Sequence, residues 1–121
     1  MAKKVLVVDD EPDITKIMSF RLKSAGYEVE TASDGREALD LIEKDRPDLI
    51  LLDLRMPVMD GYEVCRKMKS DENLRGIPVI FLTASSGATI KDKAYEYKAD
   101  DYIIKPFEPE ELLRKVKKFI G

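Results

Sequence analysis

Four short runs of consecutive apolar residues divide the chain: Val5-Leu6-Val7-Val8, Leu49-Ile50-Leu51-Leu52, Val79-Ile80-Phe81-Leu82 and Tyr102-Ile103-Ile104. Each has the length of a strand, is rich in β-branched or aromatic residues, and is bounded by charge, glycine or proline. A run with no polar alternation predicts a strand covered on both faces, the usual state of a parallel sheet. A fifth segment, Tyr27-Glu28-Val29-Glu30-Thr31, alternates polar and apolar residues and predicts an edge strand.

Helical spacing fills the intervals. Ile14, Ile17, Met18, Leu22 and Ala25 share one predicted face, with Gly26 as the stop signal. Ala38, Leu41 and Ile42 follow Asp34, a candidate N-cap, and Gly61, Val64, Cys65 and Met68 follow Asp60 in the same way. A weaker stripe of Ile90, Ala94 and Tyr97 predicts a fourth helix over 87–98. The last helix carries Leu112, Leu113, Val116, Phe119 and Ile120, with Glu108, Glu110 and Glu111 first and Lys115, Lys117 and Lys118 last, as the helix dipole favours. Lysines of the last two helices are expected to form a solvated face. Five strand–helix units imply an α/β fold, a five-stranded parallel sheet with helices on both faces. The alternating second strand favours the flavodoxin-like order 2-1-3-4-5 over the Rossmann order.

Composition narrows the chemistry. The 121 residues fit one domain, spanning 1–121, with 37% charged and 44% apolar residues. There is no histidine, which removes imidazole acid–base catalysis, a Ser-His-Asp triad and His-ligated zinc or haem. The single cysteine, Cys65, cannot form an intramolecular disulfide and is expected to pack in the core, as are Met18 and Met68, with Met56 and Met59 bracing a loop. No apolar run approaches the ~20 residues of a membrane helix, and the basic start is too short for a signal peptide, so a cytoplasmic location is expected. The net charge of −3 argues against nucleic acid as a direct partner.

The chemistry then falls to the strand ends, because open α/β sheets bind ligands beyond the carboxyl ends of their strands. The first strand ends in Asp9-Asp10-Glu11, the third in Asp53, the fourth in Thr83-Ala84 and the fifth in Lys105-Pro106. Clustered carboxylates repel one another unless a cation joins them. An all-oxygen set suits Mg²⁺, and a lysine opposite would add a second positive point for a phosphoryl group, with the Thr83 hydroxyl as a donor. A carboxylate can act as nucleophile in such a site, and Asp53, central on the sheet, is the natural acceptor.

Four motifs in order, Val7-Val8-Asp9-Asp10-Glu11, Leu52-Asp53-Leu54-Arg55-Met56-Pro57 with Met59-Asp60-Gly61, Leu82-Thr83-Ala84 and Tyr102-Ile103-Ile104-Lys105-Pro106-Phe107, span essentially the whole chain. On them the sequence resembles the receiver domain of two-component response regulators. The resemblance implies a phosphorylation-activated switch with Asp53 as phosphoacceptor and Mg²⁺ held by Asp10, by Asp9 directly or through water, by Asp53 and by the Arg55 backbone carbonyl. It implies that Lys105 contacts the phosphoryl group, that Lys105-Pro106 is a cis peptide, and that Thr83 and Tyr102 form a switch pair. The expected output is an altered surface on the fourth helix, fifth strand and fifth helix. The expected partners are a histidine kinase or histidine phosphotransfer protein and a downstream protein target, without nucleic acid or membrane; a phosphorylation-dependent dimer is compatible with this. The absent histidine places the donor histidine on another protein.

Plainer readings stand beside these. Asp9 or Asp10 could cap the helix that begins near Pro12, although a cap accounts for one acid and not three. Asp60 reads better as a cap than as a ligand. Alone, Tyr102 reads as core. Arg55 and Ser85 should line the path of hydrolytic water; for Arg55, a role in phosphoryl lifetime and a solvated surface position weigh equally. An aspartyl-phosphate phosphatase of haloacid-dehalogenase type would need an acid where Arg55 stands, and a nucleotide or flavin carrier would need a phosphate cradle where Asp9-Asp10-Glu11 would repel it. Intact acids, Thr83 and Lys105 count against a receiver that only binds partners. Both a stand-alone regulator and a receiver excised from a longer protein agree with the sequence.

Overall fold

A computed structural model describes residues 2–84 and 88–121. The elements alternate: β1 (Lys4–Val8), α1 (Pro12–Ser24), β2 (Glu28–Ala32), α2 (Gly35–Lys44), β3 (Leu49–Asp53), α3 (Gly61–Lys69), β4 (Val79–Thr83), α4 (Ala88–Glu96), β5 (Asp101–Ile104) and α5 (Pro109–Ile120). All pairings are parallel and the order is β2-β1-β3-β4-β5, the flavodoxin-like arrangement expected.

Strand periodicity divides the core into two layers. Successive side chains point to opposite faces. Val5, Val7, Leu49, Leu51, Ile80, Leu82 and Ile103 pack with α1 and α5 through Met18, Leu22, Leu112 and Val116. Leu6, Val8, Ile50, Leu52, Val79 and Phe81 pack with α2, α3 and α4 through Ala38, Ile42, Val64, Cys65, Met68, Ile90 and Ala94. Every residue of β3 before Asp53 is fully buried, and each such side chain contributes about 1.5–3 kcal/mol of transfer free energy. That double burial makes β3 a rigid pedestal for the residue at its end.

Local chemistry sets the helix starts. Asp34 accepts from the Glu37 N–H at 2.8 Å and Asp60 from the Glu63 N–H at 2.9 Å, so both act as N-caps. Pro12 and Pro109 open α1 and α5 behind Glu11 and Glu108, which make no side-chain cap. Neither Asp9 nor Asp10 is the N-cap of α1.

Some boundaries differ from expectation. β2 runs one residue later than the alternation suggests, because its ladder with β1 pairs Val8 with Ala32. The covered stripe of α1 is Ile14, Met18 and Leu22; Ile17 lies about 100° round the helix from Met18 and is 53% exposed. Ala25 follows the helix as its C-cap and is exposed. Gly87, expected to open the fourth helix, lies outside the described residues. Among the described residues no helix is long and apolar enough to cross a membrane.

Candidate functional site

β1, β3, β4 and β5 deliver their last residues to one rim of the sheet. Asp9 follows β1, its backbone N–H donating to the Ala32 carbonyl at 3.1 Å. Its carboxylate is buried and accepts from the Glu11 N–H at 3.0 Å and from Lys105 Nζ at 2.7 Å. The Glu11 bond is a local turn that offers Asp9 a structural job, but it uses only one of the two carboxylate oxygens. Asp53 closes β3 and is 6% exposed. Its Oδ1 lies 3.7 Å from Lys105 Nζ and accepts a long 3.4 Å bond from the Arg55 N–H. Thr83 closes β4 and is buried; its carbonyl accepts from the Lys105 N–H at 2.7 Å, which ties the β5 exit to the β4 end. The Lys105–Pro106 peptide is cis.

Asp9, Asp10, Glu11 and Asp53 each present a carboxylate oxygen within 4.8 Å of the others, the inner two buried and the outer two exposed. Burial first, then the charge of Asp9, pushes Asp53 up to about 6 against the pull of Lys105. Burial alone would lower Lys105, but its hydrogen bond to Asp9 and the charges of Asp53, Asp9 and Glu11 hold it above its ordinary value. One ammonium therefore faces four carboxylates. A hard divalent cation fits this set: the donors are all oxygen, two are exposed enough to rearrange, and the net local charge is negative.

Glu11 joins Lys105 at 3.4 Å, a partnership that reading the strand ends did not single out. Arg55 is exposed, and its backbone N–H alone touches Asp53. Ser85, expected beside Arg55, lies outside the described residues. Cys65 and Met68 are buried core residues, and burial pushes the Cys65 thiol up to about 11, which leaves it unreactive. Tyr102 pairs with Phe81 across the β4–β5 ladder and is half-buried against the core beneath α4. Lys115, expected in solvent, is instead drawn in: its side chain is 16% exposed and its Nζ lies 2.6 Å from the Tyr102 carbonyl, 3.2 Å from Asp101 Oδ1 and 5.3 Å from the Tyr102 ring centroid. No local pattern reveals that pairing, because its partners come from another element.

A groove of about 630 Å³ opens beside the acids, running from Asp9 and Asp10 along Thr15 and Ser19 of α1 to Phe20. Phe20, which lines it, is 67% exposed.

Residues 5–117 match the family described as response regulator receiver domain. A probable transcriptional regulator ycf27 of Guillardia theta is 45% identical over 115 residues, covering 95% of this chain and 44% of that protein. The ycf27 protein of Cyanophora paradoxa is 43% identical over 118 residues, covering 98% and 48%. The chain thus spans about half the length of these curated relatives. Among solved structures, the Vibrio cholerae chemotaxis protein CheY4 superposes with a TM-score of 0.93 at 38% identity, covering 99% of this chain and all of that one. The receiver domain of the sensor histidine kinase PA1611 of Pseudomonas aeruginosa, described with a magnesium ion coordinated in its active-site cleft, superposes with a TM-score of 0.91 at 36% identity, covering 100% of this chain and 99% of that one.

Proposed function

The chain belongs to the response regulator receiver domain family, and from that premise we propose that residues 1–121 form one receiver domain that stores a phosphoryl group on Asp53. Such a domain is regulatory rather than a turnover enzyme. The observation that carries the assignment is the junction of Asp53 with Lys105 and the Asp9, Asp10 and Glu11 carboxylates on one rigid rim.

A carboxylate oxygen of Asp53 attacks phosphorus, the bond from phosphorus to the donor atom breaks, and the electron pair leaves with the donor, a histidine nitrogen on a kinase or phosphotransfer protein. Asp53, near 6, is mostly ionised at neutral pH and so available as the nucleophile. Burial at the end of β3 fixes its line of approach, and positioning supplies much of the rate in phosphoryl transfer. Lys105, 3.7 Å from Asp53, takes up charge on a phosphoryl oxygen. Thr83, at the end of the neighbouring strand, donates its hydroxyl to another, and Tyr102 beneath α4 answers that movement as the second half of the switch. Asp9, Asp10, Asp53 and the Arg55 carbonyl would hold Mg²⁺, which supplies further neutralisation of phosphoryl charge. The altered surface lies on α4, β5 and α5, where a downstream protein or a second phosphorylated copy docks. A cytoplasmic setting suits a partner kinase that supplies the phosphoryl group.

Incubation with a small phosphodonor and Mg²⁺, followed by intact-mass measurement, tests the proposal. The expected result is a stoichiometric adduct of about 80 Da that disappears in Asp53→Asn and in chelator. Turnover of phosphate esters without an adduct would overturn it.

A further inference from the structure

Val58, in the loop between β3 and α3, has φ +70. A β-branched residue in left-handed backbone is an outlier, since Cβ and its branches crowd the carbonyl. The Met59 N–H donates across it to the Pro57 carbonyl at 2.7 Å. That bond, with a positive central φ, describes the rare and strained form of the γ-turn. The side chain is 79% exposed, so burial does not offset the strain.

Two anchors impose the turn. The Gly61 N–H donates to the Leu54 carbonyl at 3.2 Å, and a Cβ on Gly61 would overlap the Asp53 carbonyl, so α3 begins hard against the end of β3. Met59 is held against α2, where a Cβ on Gly35 would overlap its carbonyl. The chain must leave Asp53, turn and return between these fixed points. Pro57 has its φ set by its ring, which leaves Val58 to absorb the reversal. Arg55 lies on the outgoing limb, its N–H directed at Asp53 Oδ1.

We propose that Val58 is a positioning residue for the divalent cation: its γ-turn, clamped between Gly61 and Gly35, holds the outgoing limb so that the Arg55 carbonyl stands ready beside Asp53 before the cation arrives. The inference rests on the reading of the rim as a Mg²⁺ site. Strain maintained by its surroundings is characteristic of such preorganised sites. Glycine at this position relieves the strain and also releases the limb to other directions. Asparagine accepts left-handed backbone without that freedom.

Mg²⁺ titration by calorimetry on the wild type, Val58→Gly and Val58→Asn, with thermal unfolding of each in chelator, decides the matter. The expected result is Mg²⁺ binding weakened about tenfold in Val58→Gly, the scale of lost support around a metal site, and preserved in Val58→Asn, with neither variant melting below the wild type. Equal Mg²⁺ affinity in wild type and Val58→Gly would overturn the inference while leaving the site reading intact. Weaker binding together with a lower unfolding temperature in both variants would mark Val58 as merely structural and overturn it too. A wild type that binds no Mg²⁺ would overturn the site reading and the inference with it.

Discussion

Lys105 and Asp9 are joined by a 2.7 Å contact between Nζ and Oδ2, whereas Lys105 stands a full ångström farther from Asp53. The lysine is thus committed to the acid beside Asp53, the proposed phosphoacceptor, and holds Asp53 only loosely. Both partners are withdrawn from water, the Asp9 side chain completely. Replacing Lys105 by methionine leaves a buried carboxylate without its cation and raises Asp53 further. In chelator the Lys105→Met protein should lose about 2 kcal/mol of unfolding free energy in urea, less than the full cost of a broken buried pair because the acids can take up a proton. Mg²⁺ should restore part of the loss. An unchanged urea midpoint would count against the pairing.

Asp53 carries a pH signature. Its native value near 6 lies above the ordinary 3.8, so between about pH 4 and 6 the native state keeps a proton that the unfolded chain has released. Stability in chelator should fall as pH rises through that window and level off above it. Asp53→Asn cannot ionise, so it should lack this fall and exceed the wild type at pH 7.5 by at most about 3 kcal/mol, at 1.36 kcal/mol per pKa unit. The advantage should vanish below about pH 4, and Mg²⁺ should stabilise the wild type more than the variant. Parallel pH–stability curves for the two proteins would contradict this.

Much of the architecture was legible because double burial writes itself plainly. The runs at Val5, Leu49 and Val79 could only be inner strands, and their ends placed Asp9, Asp53 and Thr83 on one rim. Edges were less legible: β2 reaches Ala32 because its register with Val8 is set by hydrogen bonding, not by hydrophobicity. Ile17 fits the periodicity of α1 yet faces out, since periodicity does not say how wide a stripe the neighbours cover. Lys105 and Asp9 are 96 residues apart, and Lys115 meets Tyr102 from a different element, so both contacts belong to tertiary structure. Val58 was hidden for the opposite reason, because its local preference argues against the backbone it adopts.

Gly61 has a steric role that alanine should expose. A Cβ there would run into the Asp53 carbonyl and crowd Leu54 Cα at 3.0 Å, both backbone atoms at the end of a fully buried strand. Neither can yield without shifting β3. Gly61→Ala should therefore cost about 1–3 kcal/mol in unfolding free energy and slow phosphorylation by a small donor, because Asp53 is displaced with its backbone. An alanine variant with wild-type stability and phosphorylation rate would show that the loop has more give than the packing implies.

Phe20 offers a test of how the phosphodonor arrives. It is 67% exposed, Ile17 is exposed one turn before it on the same helix, and Phe20 lines the same groove as Asp9 and Asp10. A large apolar side chain left in water on the groove that reaches the proposed phosphorylation site is suited to a protein partner rather than to a small donor. Phe20→Ala should leave stability within about 0.5 kcal/mol, since nothing buried is removed. Phosphorylation by a small phosphodonor should proceed at the wild-type rate. Transfer from a phosphorylated histidine kinase or phosphotransfer protein should instead weaken about tenfold in apparent affinity, the scale of an aromatic contact residue. Equal effects on both donors would place Phe20 in the chemistry of the site, and no effect on either would separate this face of α1 from the transfer reaction.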